Sequence, residues 1–196
     1  MKHVSIINGH PDKKSYTHDL SEAYAIGAKK TNATITQINL LDLDFNPNLK
    51  FGYRQRTELE PNLLDAIDKI KKENHIVGVF PMWWCSYPAL MKGFIDRTFL
   101  PGITYRPIKG RALPNKLLKG KSARLIITAD THKWYDFLIM KRPVINQFKK
   151  GTLEFCGINP VNVTYIFTIK NSSVDNRNKW LNKKKIRRKF KMTHRI

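Results

Sequence analysis

Five short apolar runs, rich in β-branched residues, recur along this chain with helix-spaced segments between them. They occupy residues 4–8, 34–40, 76–80, 123–128 and 161–167. Between the first two, Leu20, Ala23, Tyr24, Gly27 and Ala28 repeat at the helical period. Leu63, Ile67 and Ile70 mark a second helix, with Pro61 in its first turn. A third begins at Pro88 and turns Leu90, Phe94 and Ile95 toward a core. Ile145, Phe148, Thr152 and Phe155 share one face of a fourth, stopped by Gly157. A last helix starts near Val174. Strands alternating with helices build a parallel sheet covered on both faces. Right-handed crossovers leave few strand orders. The 196 residues suffice for one domain with a full core.

In such a sheet, ligands bind at the carboxyl ends of the strands. Three loops there carry the chemistry. After the first strand comes Gly9-His-Pro-Asp-Lys-Lys-Ser15, leading into a helix. After the third comes Phe80-Pro-Met-Trp-Trp-Cys-Ser-Tyr-Pro88, whose paired indoles suit a flat aromatic ligand. After the fourth comes Thr128-Ala-Asp-Thr-His-Lys-Trp-Tyr135. The connection over residues 41–60 is long enough to read as a lid or binding element.

Charge and cysteine content narrow the classes. The net charge is +21, and residues 177–195 hold ten basic residues and no acidic one. Without that stretch the chain stays strongly positive, so its surface attracts anions generally. The run Lys183-Lys-Lys-Ile-Arg-Arg-Lys-Phe-Lys191 reads as a solvated helix end or extension rather than a nucleic-acid site. The domain expectation is therefore a body over 1–176 and a basic extension over 177–196. Cys85 and Cys156 lack metal or disulfide spacing, so no metal site is expected. No apolar run approaches the roughly 18–20 residues of a membrane span, and the amino terminus enters a strand directly. These features predict a cytoplasmic protein.

The three loops, in this order, resemble those of the flavodoxin-like NAD(P)H:quinone oxidoreductase family. Thr152-Leu-Glu-Phe-Cys-Gly-Ile158 is also similar to the bacterial branch. The resemblance implies a flavodoxin-like three-layer α/β/α fold with a five-stranded parallel sheet in the order 2-1-3-4-5. It implies FMN or FAD as cofactor, NAD(P)H as co-substrate, a quinone-like acceptor, a homodimer and ping-pong transfer of two electrons. Some relatives are ancillary subunits of potassium-efflux systems, which gives an alternative role with peripheral docking to a membrane transporter. The third loop departs from the glycine-rich form of distant members.

Each loop then has an expected role beside a plainer one. His10, Ser15, Tyr16 and Thr17 either meet a phosphate at the helix amino end or form a capped helix with a surface histidine. The N–H groups of Met82, Trp83, Trp84 and Cys85, behind a stiffening Pro81, face the flavin edge, or the tryptophans are core; one of the two is expected to be structural. Thr128, Asp130 and Thr131 hydrogen-bond the polar edge of the ring. Tyr135 and His132 are the catalytic expectations, facing nicotinamide or acceptor, although an exposed loop histidine is often only solvated.

Overall fold

A computed structural model describes residues 2–182, and the basic run 183–191 lies outside the described residues. In chain order the elements are β1 (Lys2–Asn8), α1 (Tyr16–Lys29), β2 (Ala33–Asn39), α2 (Pro61–Lys72), β3 (His75–Pro81) and α3 (Ala89–Thr98). There follow β4 (Tyr105–Arg106), β5 (Asn115–Lys116), β6 (Ser122–Thr128), α4 (Pro143–Ile145), β7 (Val161–Ile166) and α5 (Val174–Asn182). The main sheet runs β2-β1-β3-β6-β7 with every neighbouring pair parallel, which is the expected 2-1-3-4-5 order of its five strands. Strands β4 and β5 form a separate antiparallel ribbon inside the 101–121 loop.

Burial follows the strand pattern. All seven residues of β3 are buried, as a central strand covered on both sides requires. On one face Val4, Ile6, Val77 and Ile126 meet Leu20, Tyr24 and Ala28 of α1, with Trp180 and Leu181 of α5 against them. On the other face Ile7, Phe80 and Leu125 meet Leu63, Ile70, Met91, Phe94 and Phe148. Helix α5 therefore runs through residue 176 and packs on the body. The boundary drawn from charge alone falls inside a helix.

Two helices depart from expectation. Pro88 stands outside α3 as its N-cap, in an extended conformation, and the helix starts at Ala89. The helix expected around 145–155 opens after α4 into a wide π-helix, Asn146–Glu154. Its buried anchors Phe148 and Leu153 lie five residues apart, the spacing of an i→i+5 helix. The Thr152 hydroxyl donates to the Gln147 carbonyl over the same interval, at 3.2 Å. Gly157, with φ +105, ends the segment in a conformation that disfavours side chains.

The 41–60 connection is pinned rather than free. Phe45 meets the edge of Phe94 at 6.3 Å, and the Asn46 N–H donates to Glu60. The fully buried Arg97 reaches the carbonyls of Asn46 and Glu58 and the Glu60 carboxylate. Gly93 lets the strap lie on α3, since a Cβ there would come within 2.4 Å of the Pro47 Cβ and 2.7 Å of its carbonyl oxygen. Gly93→Ala should cost about 1–3 kcal/mol as strap and helix are pushed apart. Chemical denaturation measures it, and an unchanged midpoint would show that the contact yields freely.

Candidate functional site

The site is built where β1, β3, β6 and β7 end. Asn8 closes β1 and is buried. Its side-chain oxygen accepts the His10 N–H at 3.1 Å, and its amide nitrogen lies 2.9 Å from His18 Nδ1. One strand-end asparagine thus sets both the loop and the first turn of α1. The Asp12 N–H donates to His10 Nδ1 at 3.0 Å, which leaves the proton of the neutral ring on Nε2. Burial lowers the His10 pKa despite the opposing charge of Asp12, so the ring is a neutral donor at pH 7. The Asp12 carboxylate accepts the Lys14 N–H, which turns it into the loop's own backbone.

Ser15 is the N-cap of α1, extended at φ −80 and ψ 148, and its oxygen accepts the His18 N–H at 3.3 Å. Its hydroxyl proton stays free to donate outward. The N–H groups of Tyr16 and Thr17 have no acceptor among the described residues, as the first turn of a helix dictates. Tyr16 is fixed from behind, its hydroxyl donating to the Arg177 carbonyl at 2.8 Å, and burial pushes its pKa up to about 12. The Thr17 and Thr128 hydroxyls lie 3.3 Å apart, joining α1 to the end of β6.

The second loop is a tight hairpin. Trp83 and Ser86 exchange both backbone hydrogen bonds at 2.9 Å, and Trp84 and Cys85 between them have φ +48 and +59. Both central residues are left-handed, as in a type I′ turn. Holding bulky residues there stores strain, on the order of 1–3 kcal/mol each. Trp83 is half-exposed and meets the edge of His10 at 5.5 Å, while Trp84 is 98% exposed. Neither indole is core, contrary to the expectation that one would be. Nor are four N–H groups available. Met82 donates to the Thr128 carbonyl at 2.7 Å and Trp83 to Ser86, so those of Trp84 and Cys85 alone lack an acceptor among the described residues.

These loops enclose one cleft of about 270 Å³. Ten of the expected residues line it: His10, Ser15, Tyr16, Thr17, Pro81, Met82, Trp83, Thr128, Asp130 and Thr131. Trp84 and Cys85, at the hairpin tip, do not. His132 and Tyr135 lie beyond Thr131 on an exposed stretch and also stand outside the lining. Tyr135 opens a π-helical turn, Tyr135–Ile139, edge-on to Trp134.

The cleft also includes Ala129 of the third loop, and Ile169 and Lys170, which lie outside all three loops. Asp130 accepts the Lys170 N–H at 2.6 Å, and the Ile169 N–H donates to the Ala129 carbonyl, so the loop after β7 is laced to the loop after β6. The signal was present, because the rim rule applied to the fifth strand points to the residues just after 167.

A family model described as flavodoxin-like fold matches residues 2–190. The chain belongs to this flavodoxin-like family. An uncharacterized NAD(P)H oxidoreductase of Haemophilus influenzae is 26% identical over 167 residues, which cover 82% of this chain and 81% of that protein. Human ribosyldihydronicotinamide dehydrogenase [quinone] is 26% identical over 181 residues, covering 80% of this chain and 77% of that one. The crystal structure of Smu.1420 from Streptococcus mutans UA159 superposes with a TM-score of 0.81 at 27% identity, covering 94% of this chain and 96% of the other. Among the described residues no helix is long and apolar enough to cross a membrane, and no group of three or more His, Cys, Asp or Glu side chains is placed to hold a metal ion.

Proposed function

We propose that the chain is a flavin-dependent oxidoreductase that passes two electrons from NAD(P)H to a quinone or similar flat electrophile. The observation that carries this reading is the convergence of the first, second and third rim loops on one cleft. The residues fit a flavin phosphate. Two orphan N–H groups, the Ser15 hydroxyl and the neutral His10 Nε2–H offer donors at the positive end of α1. The names borne by the relatives, NAD(P)H oxidoreductase and quinone dehydrogenase, support the same chemistry.

The cofactor in this reading is FMN. The pinned 41–60 strap has its own groove of about 350 Å³ against residues 100–103, and that groove shares no lining residue with the rim cleft. In this reading the strap groove takes no part in holding the cofactor. The flavin supplies the two-electron redox centre, and the protein supplies placement and charge. His10, Ser15 and the first turn of α1 hold the phosphate. Trp83 and Met82 bound the ring, and the free N–H groups of Trp84 and Cys85 offer donors beside it. Thr128 and Thr131 offer hydroxyls to its polar edge. His132 and Tyr135, solvent-facing beyond Thr131, meet the nicotinamide and then the acceptor, which use one face in turn.

Purified full-length protein should bind FMN and, so loaded, oxidise NADH or NADPH in the presence of a simple quinone, with parallel initial-velocity lines. FMN-loaded protein that is inert with both nucleotides across several quinones would refute the reading.

A further inference from the structure

A second cleft, of about 520 Å³, lies beyond the cofactor cleft, between the segment after the third loop and the edge strand β7. Nothing in the proposed redox chemistry uses it. Three features define what it can take. Phe137, Phe167 and Trp180 give it flat apolar walls, with Tyr165 stacked on Phe167 at 4.1 Å. Lys133 and Arg142 bring two cations to it, the guanidinium lying 4.2 Å over the Phe137 ring. Asp136, 1% exposed, is among its lining residues, and the buried carboxylate oxygen Oδ2 of that residue has no hydrogen-bond partner among the described residues.

A buried carboxylate oxygen without a partner is costly, and replacing such a group by an apolar one commonly stabilises a fold. The neighbours do not relieve it. Tyr165 approaches only the other oxygen, at 3.5 Å, and its hydroxyl also points at Met82 Sδ, 2.7 Å away, in the cofactor cleft. Burial raises the Asp136 pKa, and Tyr165 and Arg142 only partly offset that. The group is kept where a ligand would satisfy it.

We propose that this cleft binds an aromatic acid carrying a ring hydroxyl. The ring lies among Phe137, Phe167 and Trp180, the acid group meets Arg142 and Lys133, and the hydroxyl pairs with Asp136 Oδ2. The volume suits a molecule of one or two rings, within the roughly 300–1,000 Å³ of small-molecule sites. This site stands apart from the flavin reading and does not depend on it.

The test is calorimetric titration of the full-length protein with 4-hydroxybenzoate, benzoate and phenol, with amide NMR to locate the ligand. The first should bind about tenfold tighter than either truncated probe. Asp136→Leu should abolish the preference over benzoate while raising the melting temperature. Arg142→Met should abolish the preference over phenol. Lys133→Met, at an exposed position where folding is not at stake, should weaken 4-hydroxybenzoate and benzoate by about threefold and leave phenol unchanged. FMN titration of the same variants should stay within about twofold of the parent, and failure of the parent itself to bind FMN would count against the flavin reading only, whereas a loss confined to the variants would overturn the separateness of this site. The proposal is overturned by no binding at millimolar probe, by equal affinity for the three probes, or by shifts confined to His10 and Trp83.

Discussion

Replacing Arg97 with methionine is expected to lower stability by about 3 kcal/mol, at the low end for breaking a buried ion pair by removing one partner. The guanidinium is 1% exposed, and its two terminal nitrogens hold three separate points of the strap. One meets the Asn46 carbonyl and Glu60, and the other meets the Glu58 carbonyl and Glu60 at 2.7 Å. Methionine keeps the apolar stem but leaves two carbonyls and a carboxylate without their donor. The cost stays near the lower bound because the Glu60 side chain is 30% exposed and can regain water. Lysine should rescue only part of it, since a single ammonium cannot fork across both carbonyls.

The same variant has a pH signature. Burial works against the Glu60 carboxylate, but the N–H groups of Asn46 and of Glu60 itself, together with Arg97, outweigh it and hold the pKa below its usual 4.5. The folded state then binds fewer protons than the unfolded one as the medium is acidified. Its contribution is complete above pH 4.5 and disappears as pH falls through the lowered folded value. Denaturation curves of the parent should lose stability across that acid window, and those of Arg97→Met should lose less. Trypsin should also cut the variant faster at Lys50, Arg54 and Arg56. A variant as stable and as resistant as the parent would mean that the strap is held by Gly93 and Phe45 alone.

The strap also marks the limit of what the sequence discloses. Apolar period and β-branching located every strand of the main sheet, because β1, β3 and β6 are buried by their neighbours and have no alternative use for such residues. The rim rule then placed three loops at one edge, and ten of twelve expected cofactor residues line a single cleft. What stayed hidden depends on contacts distant in the chain. Arg97 lies 37 residues from Glu60, and nothing local marks it as buried. The left-handed pair Trp84–Cys85 has no glycine or asparagine to announce a type I′ turn. It is imposed by Met82 and Trp83 spending their N–H groups on Thr128 and Ser86. The π-helix after α4 was read with a period of 3.6, which placed Thr152 on the buried face instead of Leu153.

Ser15→Asp should separate the phosphate site from the fold that makes it. Aspartate caps a helix as well as serine does, and its charge favours the amino end of α1 by about 0.3–1 kcal/mol. The melting temperature should therefore hold or rise. Binding of FMN should fall steeply, because the new carboxylate stands at the cap where the phosphate is received. At an effective dielectric near 20, two charges about 4 Å apart repel by about 4 kcal/mol, and salt reduces this toward about 2–3. The expected loss is thus on the order of 100-fold in affinity. Riboflavin has the same ring and side chain without the phosphate, so its affinity should change little. Raising the salt concentration should close part of the gap. Fluorescence quenching titrations with both flavins read the difference directly. Equal losses for FMN and riboflavin would mean that the substitution had distorted the cleft, and no loss for either would place the phosphate away from α1.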